Sequence, residues 1–97
     1  MTLDEQYQKI IDDQRAYLLK LQEEFNKVCE DAKRVAQEKI KTIPKEDKEA
    51  RDGILQEQKA VLDAALERLK LEVNQSTKDT MRELERIVRQ KERKILA

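Results

Sequence analysis

The sequence has no histidine and no tryptophan, and it holds one cysteine, one glycine and one proline among 97 residues. Each shortage removes a class of chemistry or of fold. Without histidine there is no Ser-His-Asp or Cys-His pair and no Glu-x-x-His metal motif. One glycine cannot build a phosphate-cradling loop, and no Asp-x-Asp-x-Asp-Gly calcium loop is present. One glycine and one proline also cannot supply the turns of a β protein. Cys29 has no second cysteine to bridge, which points to a reducing compartment. Aromatic residues are limited to Tyr7, Tyr17 and Phe25. No apolar run approaches the ~20 residues of a membrane span. The opening Met-Thr-Leu-Asp-Glu-Gln has neither the basic start nor the apolar stretch of a signal peptide. The expectation is a cytoplasmic protein with no catalytic residues, no metal, no cofactor and no membrane partner.

What the chain does have is charge. Lys+Arg and Asp+Glu number 21 each, 43% of the chain together, and they cancel to a net charge of zero. Long-range attraction to nucleic acid or to an anionic membrane is therefore not a global property. The charges are unevenly placed, with a net of −2 over residues 1–15 and +3 over residues 82–97. The surplus of Glu, Lys, Leu, Arg, Ala and Gln marks long helix or coiled coil. Adjacent acids such as Glu23-Glu24 or Glu30-Asp31 point to different sides of a helix and alternate with Lys27, Lys33 and Arg34. They read as a solvated face rather than a carboxylate pair.

The apolar spacing predicts two helices. Thr2 and Glu5 have the spacing of a capping box, which starts the first helix at about residue 3. From Tyr7 a 4-3 alternation runs through Ile11, Gln14, Leu18, Leu21, Phe25, Val28, Ala32 and Val35. Read as heptads, it gives a at Ile11, Leu18, Phe25 and Ala32, and d at Tyr7, Gln14, Leu21, Val28 and Val35. Ile10 and Tyr17 widen the stripe on one side, and Cys29 and Ala36 on the other. Ile43-Pro44 ends this helix at about residue 42. The chain turns within 42–53. The second helix starts either at 45, with Glu46 and Asp47 in its first turn, or at 54, after Asp52-Gly53. It runs to about 96 through Leu55, Leu62, Leu66, Leu69 and Val73, then Met81, Leu84, Val88 and Ile95. The heptad phase slips by one residue at Asn74-Gln75-Ser76-Thr77.

Folding these helices back on each other gives an all-α, long antiparallel hairpin, a two-helix coiled coil forming one domain over 1–97. Residue i then meets roughly residue 92 minus i. Gln14 falls opposite Ser76–Thr80, Phe25 opposite Ala64 and Ala65, and the acidic residues 4–13 opposite the basic residues 82–93. Gln14 with Ser76, Thr77 or Thr80 would form a polar layer that specifies register. A lone hairpin would leave Ile10, Tyr17, Val61 and Ile87 partly wet. The stripe is wide enough for more than two helices, so the hairpin is expected to dimerise into a four-helix bundle.

Cys29, on the flank of the stripe, reads as a small buried apolar residue ahead of a redox thiol. The surface feature that stands out is Lys78, Arg82, Arg86, Arg89 and Arg93, spaced 4, 4, 3, 4 along one helical stripe. Arginine's planar fork grips carboxylates and phosphates with two hydrogen bonds. The stripe is therefore a candidate dock for an acidic protein partner or, in the alternative, a nucleic-acid backbone. It would otherwise pair with Glu85, Glu92 and neighbouring acids. No aromatic interleaves it, so single-strand stacking is not expected of it. The pattern is similar to the hairpin stalks of secretion-ATPase subunits and of prefoldin-like chaperones. That likeness implies a helical hairpin and assigns no residue a role. Together these features describe a structural or interaction protein: an adaptor, scaffold or small chaperone acting through protein contacts.

Overall fold

The computed structural model describes residues 1–97 and contains two helices that form a hairpin. Helix α1 spans Leu3–Lys41 and helix α2 spans Lys48–Leu96. There are no strands. Thr2 caps α1: its Oγ1 accepts the Glu5 backbone N–H at 3.1 Å. The Glu5 carboxylate accepts the Thr2 hydroxyl at 3.1 Å, so the pair closes through side chains. At the other end Lys39 and Lys41 sit in the last turn, where cations complement the helix dipole. The backbone N–H groups of Thr42 and Ile43 donate to the carbonyls of Lys39 and Ile40, tightening the helix as it stops before Pro44.

The connection, residues 42–47, falls between the two sequence readings in length. Helix α2 starts at Lys48, neither at 45 nor at 54, because Asp47 is its N-cap. The Asp47 carboxylate accepts the Ala50 N–H at 3.1 Å, satisfying one of the four orphan donors. The Asp47 N–H donates to the Pro44 carbonyl at 3.0 Å and closes the turn. Arg51 reaches back and donates to the Lys45 carbonyl. Asp52-Gly53 does not break anything: Gly53 has an ordinary helical φ and lies inside α2.

The larger correction concerns the seam. On α1 the inward residues are Ile10, Gln14, Leu18, Leu21, Phe25, Cys29, Ala32, Ala36 and Ile40, continuing to Ile43 in the turn; each is buried or half-buried. Their spacing is 4, 4, 3, repeated three times. On α2 the same spacing recurs through Ile54, Gln58, Leu62, Ala65, Leu69, Val73, Ser76, Thr80, Leu84 and Ile87, again all buried or half-buried. The repeat is 11 residues rather than 7. Its period, about 3.67 residues, lies close to the helix's own 3.6, so the seam follows the helix without left-handed supercoiling. Several residues assigned to the heptad seam consequently lie on its flanks. Val28 is 38% exposed, Val35 44%, Leu55 49%, Met81 57% and Val88 45%. Ile87, expected to be wet, is 3% exposed. The slip at Asn74–Thr77 disappears, because Ala65, Ser76 and Ile87 are separated by 11 residues each.

The chain divides into two compact units: a terminal half, Met1–Leu21 with Leu71–Ala97, and a turn half, Gln22–Lys70. In the terminal half Leu21 and Ile87 are buried. In the turn half the buried residue is Ala36.

Candidate interaction surfaces

Within the terminal half, Gln14 of α1 faces α2. Its Oε1 accepts the Ser76 hydroxyl at 2.5 Å and the Thr80 hydroxyl at 2.9 Å, all three side chains being part-buried. Both hydroxyls occupy seam positions, so one amide oxygen serves two layers. A half-buried polar group without such partners would cost stability, and a shift of either helix would break both bonds. This is the polar layer expected from the sequence. Further out, the Lys91 ammonium donates to the Asp4 carboxylate at 2.6 Å. In the turn half, Lys39 bridges to Glu57 at 3.3 Å. The numbers of the paired residues add to 90 and 94 at Gln14, 95 at Asp4 and 96 at Lys39. They run close to the expected 92.

The flanks of the seam are open. In the turn half, Val28, Ala32, Val35 and Ala36 of α1 and Ile54 and Val61 of α2 line a groove of about 310 Å³. Asp31, Lys39, Glu57 and Gln58 form its rim. Asp31 is paired with Arg34 at 3.3 Å and Glu57 with Lys39, so the rim carries little free charge. In the terminal half a second groove, about 410 Å³, lies between Tyr7 of α1 and Met81, Leu84, Glu85, Val88, Arg89 and Glu92 of α2. A third depression beside Tyr17 is lined by Glu72, Gln75, Ser76, Asp79, Thr80 and Glu83. The first groove was not foreseen, because the heptad phase placed Val28 and Val35 inside the seam. The 4-4-3 spacing of Leu21, Phe25, Cys29, Ala32 and Ala36 is the sequence signal that finds it.

Lys78, Arg82, Arg86, Arg89 and Arg93 are all exposed. They fall two residues past the seam positions Ser76, Thr80, Leu84, Ile87 and Lys91, about 200° around the helix, and so face away from α1. Arg89 approaches the Glu85 carboxylate at 4.0 Å, the outer limit of an ion pair. The other four make no ion pair. The acidic N-terminal segment is met by Lys91, outside the stripe.

No family model matches the chain, and no curated protein or solved structure matches it significantly. No group of three or more Cys, Asp or Glu side chains is placed to hold a metal ion. Cys29 is a half-buried free thiol on the seam. No helix is long and apolar enough to cross a membrane.

Proposed function

We propose that the chain is a non-enzymatic interaction protein, a helical hairpin that self-associates into a homodimeric four-helix bundle and acts as adaptor, scaffold or small chaperone. One observation carries this reading. Only Leu21, Ala36 and Ile87 are buried, while apolar side chains on the flanks of both helices stay between a third and three-fifths exposed. Each apolar side chain that association covers fully is worth up to ~1.5–3 kcal/mol, less for one already half-covered. Open apolar grooves on the flanks of a small protein mark surfaces that meet another macromolecule. A reducing, cytoplasmic setting goes with the free thiol of Cys29. Sedimentation equilibrium at micromolar concentration tests the reading: a dimer mass is expected, and a clean monomer refutes self-association.

A second reading, nucleic-acid binding through the arginine stripe, has its own support in the four exposed cations that lack an ion pair. It predicts duplex binding with a log–log salt slope of roughly −3 to −4 for four phosphate contacts. Salt-independent or absent retention on duplex DNA removes it.

A further inference from the structure

The terminal half carries a charge pattern that fits a second copy of itself. Arg82, Glu85, Arg89 and Glu92 are spaced 3, 4, 3 and alternate in sign. At 100° per residue they occupy one sector of α2, about 80° wide, and all four are exposed. The spacing reads the same in either direction. The sign does not: reversed, plus-minus-plus-minus becomes minus-plus-minus-plus. An antiparallel copy of α2 centred on residue 87 therefore sets Arg82 against the copy's Glu92, Glu85 against its Arg89, and the reciprocal pairs with them. A parallel copy in register sets like charge against like.

Next to this row, on the side toward α1, lies the terminal-half groove with Tyr7, Met81, Leu84 and Val88. Tyr7, Met81 and Val88 are exposed in the lone hairpin. In an antiparallel helix pair, equivalent flanks fall on the same side. The two apolar rows would then meet between the hairpins while the four ion pairs close the outer rim, as charged flanking positions do in coiled coils. The Glu85–Arg89 contact at 4.0 Å leaves both side chains more than 60% exposed and free to take partners across the interface.

We infer that the second copy docks antiparallel, α2 against α2, through the terminal half, with the Arg82–Glu85–Arg89–Glu92 row paired reciprocally about Ile87. This rests on the self-association proposed above and names its face. Two charge variants of the full chain test it: Glu85→Lys with Glu92→Lys, whose row is all positive, and Arg82→Glu with Arg89→Glu, whose row is all negative. Each alone should be monomeric at concentrations where the parent is dimeric, with helicity checked by circular dichroism. Mixed one to one they should form a heterodimer. If the parent is dimeric and both variants stay dimeric, another face, such as the turn-half groove, holds the copies, and this inference fails while self-association stands. If the parent itself is monomeric, both fail. Monomeric variants that do not pair on mixing overturn the reciprocal arrangement.

A second measurement does not depend on those variants folding. Nitroxide labels on exposed Arg86→Cys or Gln75→Cys, which lie at nearly the same angle beside the charged row, each with Cys29→Ser, report the orientation. Antiparallel docking centred on residue 87 leaves copies of position 86 offset by ~3 Å along the axis and copies of position 75 by ~36 Å, at 1.5 Å per residue. Strong dipolar coupling at 86 and weak coupling at 75 is expected. Equal coupling at both positions indicates a parallel pair and refutes the proposal.

Discussion

The two halves of the hairpin hold their helices together by different means. The turn half joins its helices through a six-residue connection, Thr42–Asp47, and its inward residues mix large side chains (Phe25, Ile40, Ile54, Leu62, Leu69), none fully buried, with small ones (Cys29, Ala32, Ala36, Ala65). A short connection keeps these helices together at low loop-closure cost. The terminal half lacks that help, since its two segments are separated by residues 22–70. It compensates with larger buried residues, Leu21 and Ile87, and with the Gln14–Ser76–Thr80 layer. The comparison teaches that proximity and register have separate sources here. The turn brings the helices together, and the terminal half fixes which residues meet.

The widest test of that division is truncation of the buried side chains. Leu21→Ala and Ile87→Ala should each cost ~2–5 kcal/mol in urea unfolding at one fixed protein concentration. Val35→Ala in the turn half, at a position 44% exposed, should cost about 1 kcal/mol or less. Equal losses at all three would erase the contrast. The next effect in size concerns Gln14. Gln14→Ala removes one acceptor from two hydroxyls and should cost ~1–2 kcal/mol by melting. Gln14→Leu should cost less than Gln14→Ala, because it fills the space with apolar atoms although both hydroxyls still lose this acceptor. A harmless Gln14→Ala would show that register is set elsewhere.

Two smaller effects belong to the turn half. Asp47→Ala removes the α2 cap and should cost about 1 kcal/mol, whereas a start of α2 at 45 or 54 would make it neutral. Gly53→Ala should stabilise by ~0.5–1 kcal/mol, since Gly53 is helical and an added Cβ meets nothing within 4 Å. A loss there would mean that Gly53 is held in a conformation other than helix.

Much of this was legible in the sequence. The helix count, the hairpin, the cap at Thr2, the approximate register and the Gln14 layer all follow from spacing and from one proline. The phase of the seam did not. Heptad and 11-residue spacings share most of their positions over two or three turns, and the flanking Val28, Val35, Met81 and Val88 are as apolar as the seam itself. Counting apolar residues alone therefore favoured the wrong row. The small or polar seam members (Ala36, Gln58, Ser76, Thr80) give the period away only once both helices are read together. The N-cap at Asp47 was obscured by acids on both sides of it. The outward placement of the arginine stripe agrees between the two readings, because a one-residue change of phase leaves Lys78, Arg82, Arg86, Arg89 and Arg93 still pointing away from α1.

An 11-residue repeat carried by both helices makes the hairpin divisible. Eleven residues advance about 16.5 Å at 1.5 Å per residue and return the chain to the same side of the seam. Deleting residues 22–32 joins Leu21 to Ala36 at the normal step of four, and deleting 59–69 joins Gln58 to Val73 in the same way. Removing both blocks together shortens each arm by one period while the polar layer, the cap at Asp47 and every later seam residue keep their facing. Measured against the 11-residue seam, about 98° per residue, a seven-residue cut would instead leave everything beyond it roughly 33° out of phase. Shortening both arms by whole units of eleven is expected to keep the seam, and a cooperative melt of the doubly deleted chain checks it.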